Sequence, residues 1–287
     1  MFRGFNSIIS NNYISSKDKE ISQRGNALKF YYSNNNLIQN NIVDKSRDVT
    51  FNYSNNNTIK NNTFINNRFA LHLGNSHNNT IEKNSYKYNS VSIMLIGAKN
   101  TTVINNSIKS SKGAAGIGVM LNGVSGLNLK KNIIKFNAKG IYIDSKATEI
   151  GMKRDIQHND ISFNKEAIRF HLVIRNNTIS NNKFVGNIDD IVKSTEGYRS
   201  DSNIVEYNYW DRYSGFDKNE DNIGDNPYSI YQYASQLWQY NNKIKFFYAS
   251  PIMSLLDFLS KLAPFIEPIL LLEDTKPLIK EYNQQLS

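Results

Sequence analysis

The sequence contains no cysteine, only five prolines and no long apolar run. The absence of cysteine excludes a disulfide-bonded scaffold, a thiolate zinc site and a thiol nucleophile. No segment reaches the roughly 18 consecutive apolar residues that a membrane-spanning helix requires. The first twelve residues lack a basic flank followed by an apolar stretch, so no secretory signal peptide is visible.

Charge and asparagine content are the two unusual features of the composition. Lysine and arginine number 34 against 25 acidic residues, which gives a net charge of +9 and favours anionic partners in general. No nucleic-acid recognition motif accompanies this charge, so we predict no nucleic-acid partner. Asparagine accounts for 44 of the 287 residues. Such enrichment indicates either a low-complexity tract or a structural repeat, and the spacing distinguishes them.

The asparagines follow a repeat. The pattern apolar-x-x-Asn-x-apolar occurs nine times, at spacings of 21 to 29 residues, and an alternating apolar segment lies between most copies. The first apolar residues are Ile9, Ile38, Ile59, Ile81, Val103, Leu129, Ile156, Ile179 and Val205. Two or three short strands in each repeat predict an all-β protein, a right-handed parallel β-helix of eight or nine coils.

The repeated asparagine has a structural explanation. Equivalent residues of successive coils lie about 4.8 Å apart, so their amides can hydrogen-bond along the axis. We also expect these asparagines to adopt the left-handed conformation at a bend between strands. The predicted structural ladder contains Asn41, Asn62, Asn84, Asn106, Asn132, Asn159 and Asn182.

The repeat ends near Trp210, and the sequence predicts three regions. Residues 1–210 form the β-helix, 211–249 an Asp/Asn-rich loop and irregular cap, and 250–287 a C-terminal tail. An apolar stripe over Pro251–Leu262 predicts an amphipathic helix. Residues 269–278 are predicted to be extended.

The sequence after the coils resembles the NosD family. The coils alone resemble only the wide class of carbohydrate-binding and sugar-hydrolase (CASH) β-helices. The segment Asn208-Tyr-Trp-Asp-Arg-Tyr213, the ending Asn222-Ile-Gly-Asp-Asn-Pro-Tyr228 and the tail motifs Ser250-Pro251 and Lys276-Pro-Leu278 are similar to NosD proteins. Such proteins are exported and carry further coils, so the resemblance predicts that a signal peptide and the first coils are missing here.

The resemblance implies a function. A NosD-type protein is a non-enzymatic periplasmic factor in the copper-centre assembly of nitrous oxide reductase, used in denitrification. Its implied partners are the membrane subunit of an ABC-type transporter, a copper chaperone and the reductase. We expect the apolar stripe of the tail either to dock on the β-helix, together with Ile269–Leu272, or to contact the transporter. The contact residues would be Leu255, Leu256, Phe258, Leu259 and Leu262.

A candidate copper site follows from the repeat register. Without cysteine, the soft donors for copper(I) are methionine and histidine. Strand alternation points His72, Met94 and Met120 outward, and each lies nine residues before the first apolar residue of the next repeat. We therefore predict that they share one outward column and bind copper transiently, with Tyr142 and His171 extending the column. The alternative is an apolar face covered by a loop, the tail or another protein.

A candidate calcium site lies after the coils. Asp217, Asn219, Asp221 and Asp225 place oxygen donors at alternate positions, as in the first part of an EF-hand loop. Position six holds Asn222 instead of glycine, and position twelve holds Tyr228 instead of glutamate. The alternative is an Asx-rich turn that satisfies its own backbone.

Two other function classes remain open. A carbohydrate-binding or carbohydrate-cleaving β-helix would carry clustered charged residues on an outer strand. The positions that alternation points outward, Ser92 and Gly118 among them, predict no pair of carboxylates on neighbouring coils and hence no catalytic residues. The other class is a structural module of a surface layer.

Overall fold

A computed structural model describes residues 1–16, 19–113, 115–144, 149, 151–195, 200–232, 251, 255, 259 and 269–281. Three parallel sheets of short strands run along the molecule, and hydrogen-bonded neighbours in each sheet come from successive repeats. This arrangement confirms the predicted parallel β-helix.

Two sheets contain nine strands each, and the third contains eight. Sheet 1 consists of Ile8–Ser10, Leu37–Gln39, Thr58–Lys60, Thr80–Glu82, Thr102–Ile104, Leu127–Lys130, Arg154–Gln157, Asn177–Ser180 and Ile204–Glu206. Sheet 2 consists of Tyr13–Ser15, Ile42–Asp44, Thr63–Ile65, Ser85–Lys87, Ser107–Lys109, Ile133–Lys135, Asp160–Ser162, Lys183–Val185 and Tyr209–Trp210. Sheet 3 consists of Leu28–Tyr31, Asp48–Asn52, Phe69–Gly74, Val91–Ile96, Ile117–Asn122, Lys139–Ile143, Glu166–Phe170 and Asp189–Lys193.

Shorter elements complete the described chain. Ile21–Gln23 forms a 3₁₀ turn, and Ile174–Arg175 pairs in parallel with Ser200–Asp201. Tyr228–Gln232 pairs antiparallel with Ile269–Asp274 beyond the last coil. No helix in these ranges is long and apolar enough to cross a membrane.

The core is made of stacked columns. The apolar residues on both sides of each repeated asparagine point inward, because they are the central residues of three-residue strands. Aromatic residues of neighbouring coils stack in these columns, with ring centroids 4.9 Å apart for Phe64 and Tyr86 and 4.0 Å apart for Phe184 and Trp210.

A continuous asparagine ladder runs through the corner between sheets 1 and 2. At a typical link, the backbone N–H and the side-chain Nδ2 of Asn84 both donate to Oδ1 of Asn106, at 2.9 and 3.1 Å. Asn84 Nδ2 also donates to the Ile59 carbonyl of the preceding coil at 2.9 Å. The ladder consists of Asn12, Asn41, Asn62, Asn84, Asn106, Asn132, Asn159, Asn182 and Asn208. It includes all seven asparagines that the sequence placed there.

The expected conformation of these asparagines is wrong. The left-handed residue is the one before each ladder asparagine, with φ of +55° at Asn40 and +53° at Asn61. In three other coils the residue before the ladder asparagine also has a positive φ but is a lysine or histidine: Lys83, Lys131 and His158. The bend therefore requires one residue with positive φ, and the ladder requires the next residue to be asparagine.

The ladder ends on a carboxylate from the C-terminal segment. Oδ2 of Asp274 accepts hydrogen bonds from the Asn208 backbone N–H (3.1 Å), Asn208 Nδ2 (2.9 Å) and Trp210 Nε1 (2.9 Å). Asp274 is fully buried, and Leu271 and Leu272 join the core beside it. Residues 269–278 thus cover the end of the β-helix, with 269–274 extended as predicted. The helix predicted over Pro251–Leu262 falls outside the described residues, apart from exposed Pro251, Leu255 and Leu259.

A second asparagine file, between sheets 2 and 3, also ends on an aspartate. It runs through Asn137, Asn164 and Asn187, and Asn187 Nδ2 donates to Asp190 Oδ1 at 3.1 Å. Burial raises the pKa of Asp190 to about 6, although Arg212 opposes this shift. The native state therefore binds this proton more tightly than the unfolded chain does.

We expect Asp190→Asn to stabilise the protein at neutral pH. A raised native pKa makes stability fall as pH rises from about 4 to about 6, and the cost persists at higher pH. An asparagine at this position can still accept the hydrogen bond from Asn187 but carries no charge. The unfolding free energy at pH 7.5 should therefore rise by about 1–3 kcal/mol. Denaturant titrations at pH 4 and 7.5 measure the effect, with the outward-facing Asp155→Asn as the control. A gain of equal size at both pH values would contradict the assignment.

Candidate metal centre

The outer face of sheet 3 brings the three predicted copper ligands into one column. Cα of Met94 pairs in register with Cα of His72 on one side and Cα of Met120 on the other. Tyr142 follows Met120, as expected. The next position holds Arg169, so the expectation that His171 extends the column is wrong. The His171 ring instead lies beside the column, 6.3 Å from the ring of Tyr142.

The two methionines lie in apolar surroundings although they point away from the main core. Met94 is only 7% exposed and forms a second hydrophobic cluster with Val91 and Ile117. Met120 and Phe69 are half-buried against this cluster. The thioether of Met94 is therefore shielded from water, whereas that of Met120 is partly exposed to solvent.

His72 has a buried nitrogen without a partner. Its Nε2 makes no hydrogen bond, and its ring lies edge-on to Phe69 with centroids 6.2 Å apart. Burial lowers the pKa of His72, with a smaller opposing effect from the Asp48 carboxylate. The imidazole is therefore neutral at neutral pH, which is the form that binds metals.

Gly74 lets the Asn52 amide approach the strand near this nitrogen. A Cβ atom at Gly74 would lie 2.6 Å from Oδ1 of Asn52 and 3.7 Å from Nε2 of His72. Sequence reasoning missed both Asn52 and Gly74. A glycine inside a strand was the available signal, because it often marks close approach of another group.

The predicted absence of a carboxylate pair on this face is wrong. Glu166 and Asp189 are register partners on neighbouring coils. Ser92 and Gly118 were expected to point outward, but both face inward. Ser92 is fully buried, and its hydroxyl is hydrogen-bonded to the hydroxyl of Ser111. A Cβ atom at Gly118 would touch core side chains. Both carboxylate oxygens of Glu166 accept hydrogen bonds from Arg169, so Glu166 is held in a salt bridge.

The predicted calcium loop uses its carboxylates on its own backbone. Asp217 accepts the N–H groups of Asp221 and Asn222 at 3.1 and 2.9 Å, and Asp221 accepts that of Ile223 at 2.8 Å. Asp225 accepts the Lys218 N–H, and Asn219 donates to Asp221. This is the geometry of the alternative Asx-rich turn. In the described ranges, no group of three or more histidine, aspartate or glutamate residues is arranged to hold a metal.

Comparison with known protein families decides the assignment. Residues 10–215 match the family described as periplasmic copper-binding protein (NosD). The chain belongs to the NosD family. Membership supports a periplasmic location and a copper-binding accessory role, and it confirms the resemblance drawn from the motifs after the coils.

Other comparisons with the NosD-family chain are distant. No curated protein matches its sequence. Among solved structures it is similar to the A-module of the Azotobacter vinelandii mannuronan C-5 epimerase AlgE6, with 14% identity and a TM-score of 0.45. The match covers 71% of this chain and 57% of that structure, so the chain spans little more than half of its length.

Proposed function

We propose that this NosD-family chain is a non-enzymatic accessory protein that carries copper(I) on the column of His72, Met94 and Met120. The copper is cargo, and it is destined for the copper centres of nitrous oxide reductase. The observation that carries the proposal is the register of the three residues on consecutive coils.

The donors fit copper(I) chemically. Thioethers and imidazole are the soft ligands available in a chain without cysteine. The unpaired Nε2 of His72 is available as a donor on the histidine side of the column. The rigid sheet fixes the backbones about 4.8 Å apart, and the half-exposed Met120 leaves a route for release. Calcium has no comparable support, because the aspartates of its loop already accept backbone hydrogen bonds.

The partners in this proposal are proteins of the same assembly. A copper chaperone would load the column, and the membrane subunit of an ABC-type transporter would hold the protein at the membrane. Leu255 and Leu259 are exposed apolar residues that could serve that contact. For the carbohydrate alternative, the one carboxylate pair on the outer face of sheet 3 includes Glu166, which is already paired with Arg169.

The double change Met94→Leu and Met120→Leu tests the column. Leucine keeps the apolar bulk and removes both sulfurs, so the coil should remain folded. We expect copper(I) affinity to fall at least about tenfold, since the loss of even indirect metal contacts costs 10–100-fold. Competition with a chromophoric copper(I) chelator measures the change.

The control is Met152→Leu, a methionine outside the column. It should leave copper(I) affinity unchanged. Wild-type affinity in the double variant, with a normal circular dichroism spectrum, would show that copper binds elsewhere.

A further inference from the structure

A basic cleft lies at the corner between sheets 2 and 3, where the chain turns after Lys87. The cleft has a volume of about 430 Å³, and its lining includes Ile21, Arg24, Tyr88 and Lys112. Its size is in the range of ligand-binding pockets. Tyr88 is 38% exposed and adopts the left-handed conformation, which turns its side chain out at the corner.

Cations surround this tyrosine. Nζ of Lys112 lies 4.6 Å from the centre of the Tyr88 ring, and Nζ of Lys87 lies 5.0 Å from it. Lys109 is the register partner of Lys87 on the next coil. Arg24 is held at the cleft by hydrogen bonds to two neutral carbonyls, those of Lys19 and Asn66, both at 2.8 Å.

These four cations lack a carboxylate partner among the described residues. Asp44, which is linked to the cleft through Asn66, accepts instead from the Tyr13 hydroxyl and from Asn66 Nδ2. Lys45 also lines the cleft. Like charges on neighbouring strands repel each other. An anionic ligand would therefore relieve the repulsion within this cluster.

The lining indicates the class of that ligand. Tyrosine and arginine are the residues that contribute most binding energy in protein interfaces. Ile21, 38% exposed on the rim, offers an apolar contact that a hydrated acidic polysaccharide would not use. The described residues that line the cleft include no carboxylate to accept hydrogen bonds from sugar hydroxyls.

We propose that the basic cleft docks an acidic segment of a partner protein, with carboxylates on Arg24, Lys87, Lys109 and Lys112 and a side chain packed on Tyr88. This site goes beyond the proposed copper function and does not depend on it. The copper column is on the face of sheet 3, whereas Lys87 and Lys109 project from sheet 2.

The test uses labelled poly-L-glutamate as the probe and fluorescence anisotropy as the measurement. The double variant Lys87→Gln and Lys112→Gln should bind at least about tenfold more weakly at low salt, and raising the salt should reduce the difference. The control Lys60→Gln and Lys130→Gln removes the same charge from the outer face of sheet 1 and should change affinity less than about twofold. Tyr88→Asn, in which asparagine tolerates the left-handed backbone, should also weaken binding.

Three outcomes would overturn the proposal. Equal losses in both double variants would show a general effect of net charge. Tighter binding of polygalacturonate than of poly-L-glutamate would assign the cleft to an acidic glycan. Absence of binding to either polymer by the folded wild-type protein would show that the cluster is no docking site. Copper(I) affinity should be unchanged in all of these variants, which separates this result from the test of the copper column.

Discussion

Replacing Asn62 with alanine is expected to lower the unfolding free energy by about 3–5 kcal/mol. The Asn62 side chain accepts two hydrogen bonds from Asn41 and donates to Asn84 and to the carbonyls of Ile38 and Lys60. Alanine would leave the buried Asn41 backbone N–H without its acceptor and would remove the bonds that Asn62 donates to Asn84 and to the Ile38 carbonyl. A buried group left without a partner costs about 1–3 kcal/mol, and each lost bond adds to this. Denaturant unfolding measures the loss.

The preceding residue supplies a matched control. Asn61 is exposed and has a φ of +53°, and its side chain makes no ladder bond. Glycine adopts positive φ readily, so Asn61→Gly should change stability by less than about 1 kcal/mol. A similar loss of unfolding free energy in the two variants would mean that asparagine at this corner is needed for the backbone bend and not for the hydrogen bonds of the ladder.

Asp274→Ala should be nearly as damaging, although Asp274 lies outside every coil. Its Oδ2 is the shared acceptor for Asn208 and Trp210, and both residues are buried. Removing it leaves two buried donors, the Asn208 backbone N–H and Trp210 Nε1, without a partner and takes one acceptor from Asn208 Nδ2, which we expect to cost about 3–5 kcal/mol. Because repeat proteins open from their ends, hydrogen exchange should accelerate first at residues 204–210.

The isosteric variant separates geometry from charge. Asp274→Asn retains an oxygen that can accept from Asn208 and Trp210, as a further ladder asparagine would. Burial raises the pKa of Asp274, against the hydrogen bonds that lower it, so the folded state disfavours its negative charge. We expect Asp274→Asn to retain most of the stability that Asp274→Ala loses. If both variants lose the same amount, the charge of the carboxylate is essential.

The fold could be predicted because every coil repeats the same physical requirement. An apolar residue on each side of an asparagine marks two inward columns and one ladder, and nine copies fix the period. The conformation of the asparagine could not be predicted in the same way. Pairs such as Asn40-Asn41 and Asn61-Asn62 hide which of the two residues makes the bend.

The shared register of His72, Met94 and Met120 could be predicted, because each lies nine residues before the first apolar residue of the next repeat. This spacing does not continue: Tyr142 lies 14 residues before Ile156, and Arg169 lies ten residues before Ile179. Because the number of inserted residues differs between coils, the sequence placed His171 where the sheet has Arg169. The aspartate at the end of the ladder carries no local signal, since Asp274 lies 66 residues after its partner Asn208.

This separation sets an order of events during synthesis. Each coil can stack on the previous one as it emerges, but the acceptor for Asn208 is made 66 residues later. At roughly 5–20 residues per second, the last coil waits about 3–13 seconds with unpaired donors and open strand edges. Open edges pair readily with other chains. The nascent protein is therefore most prone to aggregation in this interval, after its last coil has formed and before Asp274 arrives.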